Sequence, residues 1–187
     1  NRSYRRFLQY VNIDRRTLVE LVNLARLSPS AANLQLLKYI ISCEPDKNKS
    51  IFPHLAWAGY LKDWPGPSEG EKPSAYIVIL GDTKITENFH CDHGIAAQSI
   101  LLGATEKGLG GCILGAVKRE GLRKALNIPQ RFKILLVIAL GKPNEKVQLE
   151  TKDPGGDIKY WRDEQDLHHV PKRPLEEIIL NDEHIAE

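Results

Sequence analysis

Apolar residues recur along the chain with two periods that alternate. Behind Asp14, Leu18, Leu21, Val22 and Ala25 repeat at three- and four-residue spacing. That predicts an amphipathic helix capped by Asp14 and stopped by Ser28-Pro29-Ser30. Leu37 to Ser42 is a short apolar run suited to a buried strand, and Ala75 to Gly81 is a second. Asp92 is placed to cap a helix running to about Lys107, with Ile95, Ala96, Ile100, Leu101 and Ala104 apolar and Gly108 as its stop. Its small residues predict close packing on several sides. Residues 111–114 fit a short strand, and Glu120 to Leu126 a short helix. Ile134 to Gly141 is apolar throughout, so that strand is expected to be covered on both faces. Residues 62–74, rich in Pro, Gly and charge, form a loop long enough to suggest a function. There is no internal repeat. The order predicts a layered α/β or α+β domain with one sheet between helices.

The C-terminal stretch breaks this pattern. It opens on the turn-forming cluster Asp153-Pro154-Gly155-Gly156-Asp157. Residues 151–187 carry 5 basic and 10 acidic side chains, and only about 11 of the 37 are apolar. Residues 1–150 carry 21 basic and 14 acidic side chains. Residues 1–150 therefore read as the compact body and 151–187 as an extended arm. Trp161, Leu167, Val170 and Leu175 to Leu180 within that arm need a surface to pack on, either the body or a second subunit.

Composition narrows the function classes. A length of 187 residues suits one domain with an appended arm. The formal net charge is only +2, far from what a dedicated nucleic-acid binder needs. No apolar run approaches the ~20 residues of a membrane span. No signal peptide is visible behind Asn1-Arg2-Ser3, and the absence of any Met places the native start before Asn1. Cys43, Cys91 and Cys112 are too few and too scattered for a disulfide framework, which points to a reducing cytoplasm.

Few motifs carry chemistry. No phosphate-binding P-loop is present. The cluster Gly108-Leu109-Gly110-Gly111-Cys112-Ile113-Leu114-Gly115 fails the register of a dinucleotide fingerprint and follows a helix where that fingerprint follows a strand. Its glycines serve either as a helix stop and turn or as a close approach to a flat ligand. Arg2-Ser3-Tyr4-Arg5-Arg6 packs three guanidiniums and a hydroxyl together, which suits a phosphate monoester, or else a solvated basic helix face. Lys172-Arg173 is a second basic pair in an acidic tail. His90-Cys91-Asp92-His93 lacks the spacing of a closed zinc site, and no metal is expected. Trp57, Tyr60 and Trp64 surround the long loop as anchors or as an aromatic substrate platform.

Taken in order, five segments resemble the nitroreductase family of flavoenzymes. They are Arg2-Ser3-Tyr4-Arg5-Arg6-Phe7, Ala25 to Gln35, the glycine cluster at 108–115, Leu140-Gly141-Lys142-Pro143, and Val170 to Glu177. The resemblance implies an α+β fold with a mostly antiparallel central sheet flanked by helices. It implies a homodimer with two FMN sites at the interface, a cofactor-binding core at 1–150, and an arm at 151–187 wrapping the partner. Residue by residue, it implies that Arg2, Ser3 and Arg5 hold the FMN phosphate and ribityl chain, joined by Lys172 or Arg173. Pro29, Ser30 and Ala31 would approach the isoalloxazine from the other subunit, with Asn33 nearby. Gly111, Cys112, Leu114 and Gly115 would line the flavin. Asn1 and Leu36 depart from the family's usual Arg and Pro.

The activity implied is hydride transfer from NAD(P)H through flavin N5 to small aromatic acceptors, nitro compounds or quinones, by a ping-pong mechanism. No protein acid, base or nucleophile is required. Trp57, Tyr60 and Trp64 are the candidates for acceptor binding. The alternative is a flavin-binding or sensing protein of the same fold that nicotinamide does not reduce.

Overall fold

The computed structural model describes residues 1–153 and 155–180. Pro154 of the turn-forming cluster and the last seven residues of the expected arm lie outside the described residues. The chain divides into two units, one of Asn1–Trp57 with Pro65–Asn144, the other of Ala58–Trp64 with the chain from Glu145 onward.

In the first unit, helix α1 spans Arg15–Leu27, and Asp14 caps it as expected, accepting the Thr17 N–H at 2.6 Å. Strand β1 (Leu37–Ser42) is followed by the short helix α2 (Pro45–Ile51) and then by β2 (Ala75–Asp82). Helix α3 (Asp92–Glu106) leads into β3 (Gly110–Leu114). Helix α4 (Arg119–Ala125) and β4 (Phe132–Gly141) complete it. The sheet order is β1-β2-β4-β3, antiparallel at every step. All eight residues of β2 are buried, because Ala75, Ile77 and Ile79 face one layer and Tyr76 and Val78 the opposite one. The first layer joins Leu18, Leu21 and Ala25 of α1 to Ala96, Ala97, Ile100 and Ala104 of α3. Gly103 permits that approach, since a Cβ there would lie 2.2 Å from Leu24 Cδ1.

One expectation fails here. Asp92 does not cap α3: Cys91 holds the N-cap position with no side-chain cap, and Asp92 is the first helical residue. Its carboxylate is turned away from the helix, toward the loop after α1. Helix α2, absent from the periodicity reading, is seven residues long and buries only Ile51, so it carries almost no apolar pattern. Pro45 in its first turn and Asp46 beside it are its only local signals.

In the second unit, β5 (Val147–Thr151), β6 (Trp161–Arg162) and β7 (His168–Lys172) form a sheet of order β5-β7-β6, β5 parallel and β6 antiparallel to β7. Paired polar groups supply much of its interior. Arg162 donates to Glu145 at 2.8 Å with both side chains buried, and the buried Lys152 ammonium meets Glu177 at 3.3 Å. His169 lies between Glu150, on Nδ1, and Asp163, 3.1 Å from Nε2, with Trp161 stacked on its ring at 4.0 Å.

That arrangement makes a pH prediction. The Glu150 hydrogen bond, with Asp163 second, holds the His169 proton above the ordinary imidazole range, and His169 in turn holds Asp163 below the ordinary carboxylate range. A raised histidine contributes stability that is complete below its unfolded value and is lost as pH rises through the folded one. The lowered Asp163 acts oppositely, and its contribution is lost only in acid. Thermal midpoints measured from about pH 5 to about pH 9 should therefore fall on the alkaline side. His169→Gln should flatten that fall, and an identical slope in the variant would remove His169 as its cause.

Candidate functional site

Arg2–Phe7 is extended, not helical, so the basic-helix alternative is excluded. Ser3 bridges Gly111 in parallel, and the Tyr4 N–H donates to the Gly111 carbonyl at 2.9 Å, which lays the segment along the free edge of β3. Phe7 anchors it. Its ring is fully buried against Gly141, its N–H donates to Glu71 O at 3.0 Å, and the Leu8 N–H donates to Lys142 O at 2.8 Å. Arg2, Ser3 and Arg5 are thus fixed by backbone to the strand that begins the glycine cluster.

The glycines have identifiable tasks. Gly108, at φ +68°, ends α3 as a left-handed stop. Gly110 makes room for the Tyr4 ring, which a Cβ would meet at 2.5 Å. Gly111 admits Ala139 O and Leu101, at 2.5 and 2.7 Å from a Cβ. These close approaches are made by the protein itself. Gly115 differs, because a Cβ there would find only Leu136 Cδ2 at 3.9 Å. Among the candidates on this stretch, Gly111, Cys112 and Leu114 are buried and Gly115 is exposed.

The loop after α1 forms the second part. Ser30 Oγ donates to Asp92 Oδ2 at 2.6 Å and accepts the Gln35 N–H at 3.0 Å, while the Ala31 N–H donates to Asp92 Oδ1 at 3.1 Å. Asp92 is 3% exposed. Ser28 shares a hydrogen with Ser99 at 2.8 Å, a second tie to α3. Ala32, Asn33 and Gln35 hold φ of 48°, 55° and 51°, a left-handed run that the Asp92 contacts keep in place. A cleft of about 430 Å³ opens beside it, lined by Pro29, Ser30, Arg26, Tyr39 and Asp92. Burial, and secondarily the Asp92 charge, push the Tyr39 phenol up to about 12, so it is a proton donor at physiological pH. Ala31 and Asn33 belong to the loop but do not line this cleft. Asp92 and Tyr39 are the functional candidates that sequence reasoning missed.

The three aromatic candidates separate. Trp57 is buried in the first unit beside Phe52, at 6.0 Å between centroids, and Gly66 folds over it. In the second unit, Tyr60 is 50% exposed and lies against Tyr160 at 5.0 Å, and Arg162 sits 4.5 Å over Trp64. Also in that unit, Lys172 ends β7, and Arg173 donates to Glu177 at 2.9 Å.

The profile described as the Nitroreductase family matches residues 1–142. A protein of Archaeoglobus fulgidus, named as an NADH dehydrogenase/NAD(P)H nitroreductase, is 27% identical over 135 residues, covering 68% of this chain and 72% of its own. The Bacillus subtilis protein named NAD(P)H nitroreductase YodC is 22% identical over 188 residues, covering 80% and 89%. Among solved structures, a nitroreductase family protein from Streptococcus pneumoniae superposes with a TM-score of 0.69 at 18% identity, covering 97% of this chain and 96% of that one. A structure described as an FMN-dependent nitroreductase from Clostridium difficile gives 0.60 at 24% identity, covering 78% and 85%.

Proposed function

Since the chain belongs to the nitroreductase family, we propose that it is an FMN-dependent oxidoreductase passing hydride from NAD(P)H to small aromatic acceptors, nitro compounds or quinones, in ping-pong fashion. The observation that carries this reading is the loop at 28–35, pinned to Asp92 beside an open cleft in a chain whose first 142 residues match the family. Bound FMN would supply the hydride-accepting and hydride-donating centre.

The residues present fit that group. Arg2, Ser3 and Arg5 offer guanidinium forks and a hydroxyl for a phosphate ester, on a segment whose backbone is already ordered by β3 and Phe7. Pro29, Ser30 and Ala31 present a rigid edge rather than a mobile one. Gly115 leaves open space where a side chain would intrude on a flat ring. Gly111, Cys112 and Leu114 support that edge from within, and Lys172 or Arg173 adds a cation. A cation near the ring stabilises the charge that reduction places on it. Tyr60 and Trp64 are the acceptor platform. In this reading the core at 1–150 holds the cofactor, and the arm from 151 wraps the partner of a homodimer. Leu27 and Leu102 in the first unit, and Leu175, Ile178, Ile179 and Leu180 in the second, are large exposed apolar groups that such an assembly would cover.

The test is spectroscopic. The purified protein should be yellow, or become so with FMN, and should bleach on addition of NAD(P)H without oxygen. A protein that FMN cannot colour ends the reading, and bound FMN that never bleaches selects the flavin-binding, non-catalytic alternative. Arg2→Ala with Arg5→Ala should weaken FMN binding at least ten-fold, since each charge-assisted bond contributes about 1.5–3 kcal/mol. Unchanged affinity in that double variant would place the phosphate elsewhere.

A further inference from the structure

We propose that the cavity on the α2 side of β2 is a binding site for a small aromatic carboxylate. The cavity has a volume of about 230 Å³ and shares no lining residue with the cleft at Ser30. The proposal therefore stands apart from the flavin reading.

Its polar lining comes from Ser74 and Tyr76, two residues apart and so on one face of β2. Both are almost wholly buried, at 7% and 1% exposure. Neither hydroxyl has a hydrogen-bond partner among the described residues. A buried hydroxyl without a partner costs about 1–3 kcal/mol, so a pair of them in one cavity points to something that accepts from both. The neighbouring polar groups do not fill that role. Ser42 Oγ is committed to Asn48 Oδ1 at 2.7 Å, and Asn48 Nδ2 to the Ser74 carbonyl at 2.8 Å, which fixes the backbone at Ser74 and leaves its Oγ unused.

The walls and rim select the rest of the ligand. Phe52, Pro45, Pro53 and Pro73 give flat apolar surfaces suited to a ring. Lys72 Nζ lies 4.9 Å from the centre of the Phe52 ring, and Lys49 also lines the cavity. Two ammonium groups face a single lining carboxylate, Glu69, which favours an anion over a neutral guest. A dry cavity of about 150 Å³ accommodates benzene, so this one takes a ring and a carboxylate but no nucleotide. Two oxygens on one carbon then receive the Ser74 and Tyr76 hydrogens as charge-assisted bonds.

Saturation-transfer NMR on the full chain, with benzoate as probe and benzamide as its neutral counterpart, tests this. Benzoate should bind saturably and more tightly than benzamide. Tyr76→Phe and Ser74→Ala should each weaken benzoate about five- to ten-fold while the thermal midpoint holds or rises, because each removes an unsatisfied hydroxyl. If Tyr76→Phe fails to fold, Ser74→Ala decides. No saturable benzoate binding, equal affinity in the variants, or benzamide binding as well as benzoate would each overturn the proposal.

Discussion

Gly111→Ala is expected to lower the thermal midpoint by roughly 6–12 °C, while Gly115→Ala leaves it within about 2 °C. The two glycines stand four residues apart in one cluster, and sequence alone gives no reason to separate them. A Cβ at Gly111 would lie 2.5 Å from the Ala139 carbonyl oxygen, 2.7 Å from Leu101 Cδ2 and 2.9 Å from Leu140 Cδ2. The leucine methyls can shift. The carbonyl cannot, because Cys112 faces Ala139 in the β3–β4 ladder and any retreat opens that pairing. Overpacking against a fixed backbone atom costs about 3 kcal/mol, a large share of the roughly 5–15 kcal/mol that holds a domain together. The Gly111 carbonyl also receives the Tyr4 N–H, so the same change loosens the segment carrying Arg2, Ser3 and Arg5. At Gly115 the nearest atom would be 3.9 Å away, ordinary contact distance. Calorimetry on both variants checks this, and equal shifts would refute the packing account.

The same contrast explains what could be read in advance. Strands β1, β2 and β4 and helices α1 and α3 follow from apolar period, because each buries a continuous stripe or a whole strand in one core. The β5-β7-β6 sheet has no such signal. Its ties are Arg162 to Glu145, Lys152 to Glu177 and His169 to Glu150 and Asp163, pairs too far apart in sequence for a local pattern to report. The basic opening was legible as a candidate anion site, but its extended conformation depends on Phe7 finding Gly141 and Pro143 at the other end of the unit. Gly110 and Gly111 look the same in sequence whether a ligand or the protein's own side chains approach them. Asp92 is the sharpest case. An aspartate at a helix start reads as a cap, and nothing nearby says that its partners lie about sixty residues upstream.

Asp92→Ala is accordingly expected to damage the candidate site more than any change within the loop itself. The substitution leaves the Ser30 hydroxyl and the Ala31 N–H without their acceptor, at about 1–3 kcal/mol each where buried. It also releases a loop that resists its own conformation. Ala32, at φ 48°, sits where a non-glycine residue costs about 1–2 kcal/mol, and Asn33 and Gln35 add to that. With Asp92 present, Ser30 serves as a hub, donating to the carboxylate and accepting from Gln35, so the loop closes on itself around one oxygen. Without it, those residues relax toward ordinary backbone angles and the edge formed by Pro29, Ser30 and Ala31 is lost. Backbone amides at 29–35 should then exchange with solvent at the rate of an open loop, and FMN affinity should fall at least ten-fold. Asp92→Asn keeps the shape and one acceptor, and should fall between. Hydrogen-exchange mass spectrometry over residues 28–35, run beside FMN titration, decides the matter. Slow exchange retained in Asp92→Ala, with only the thermal midpoint lowered, would make Asp92 a support of the core and not the anchor of this loop.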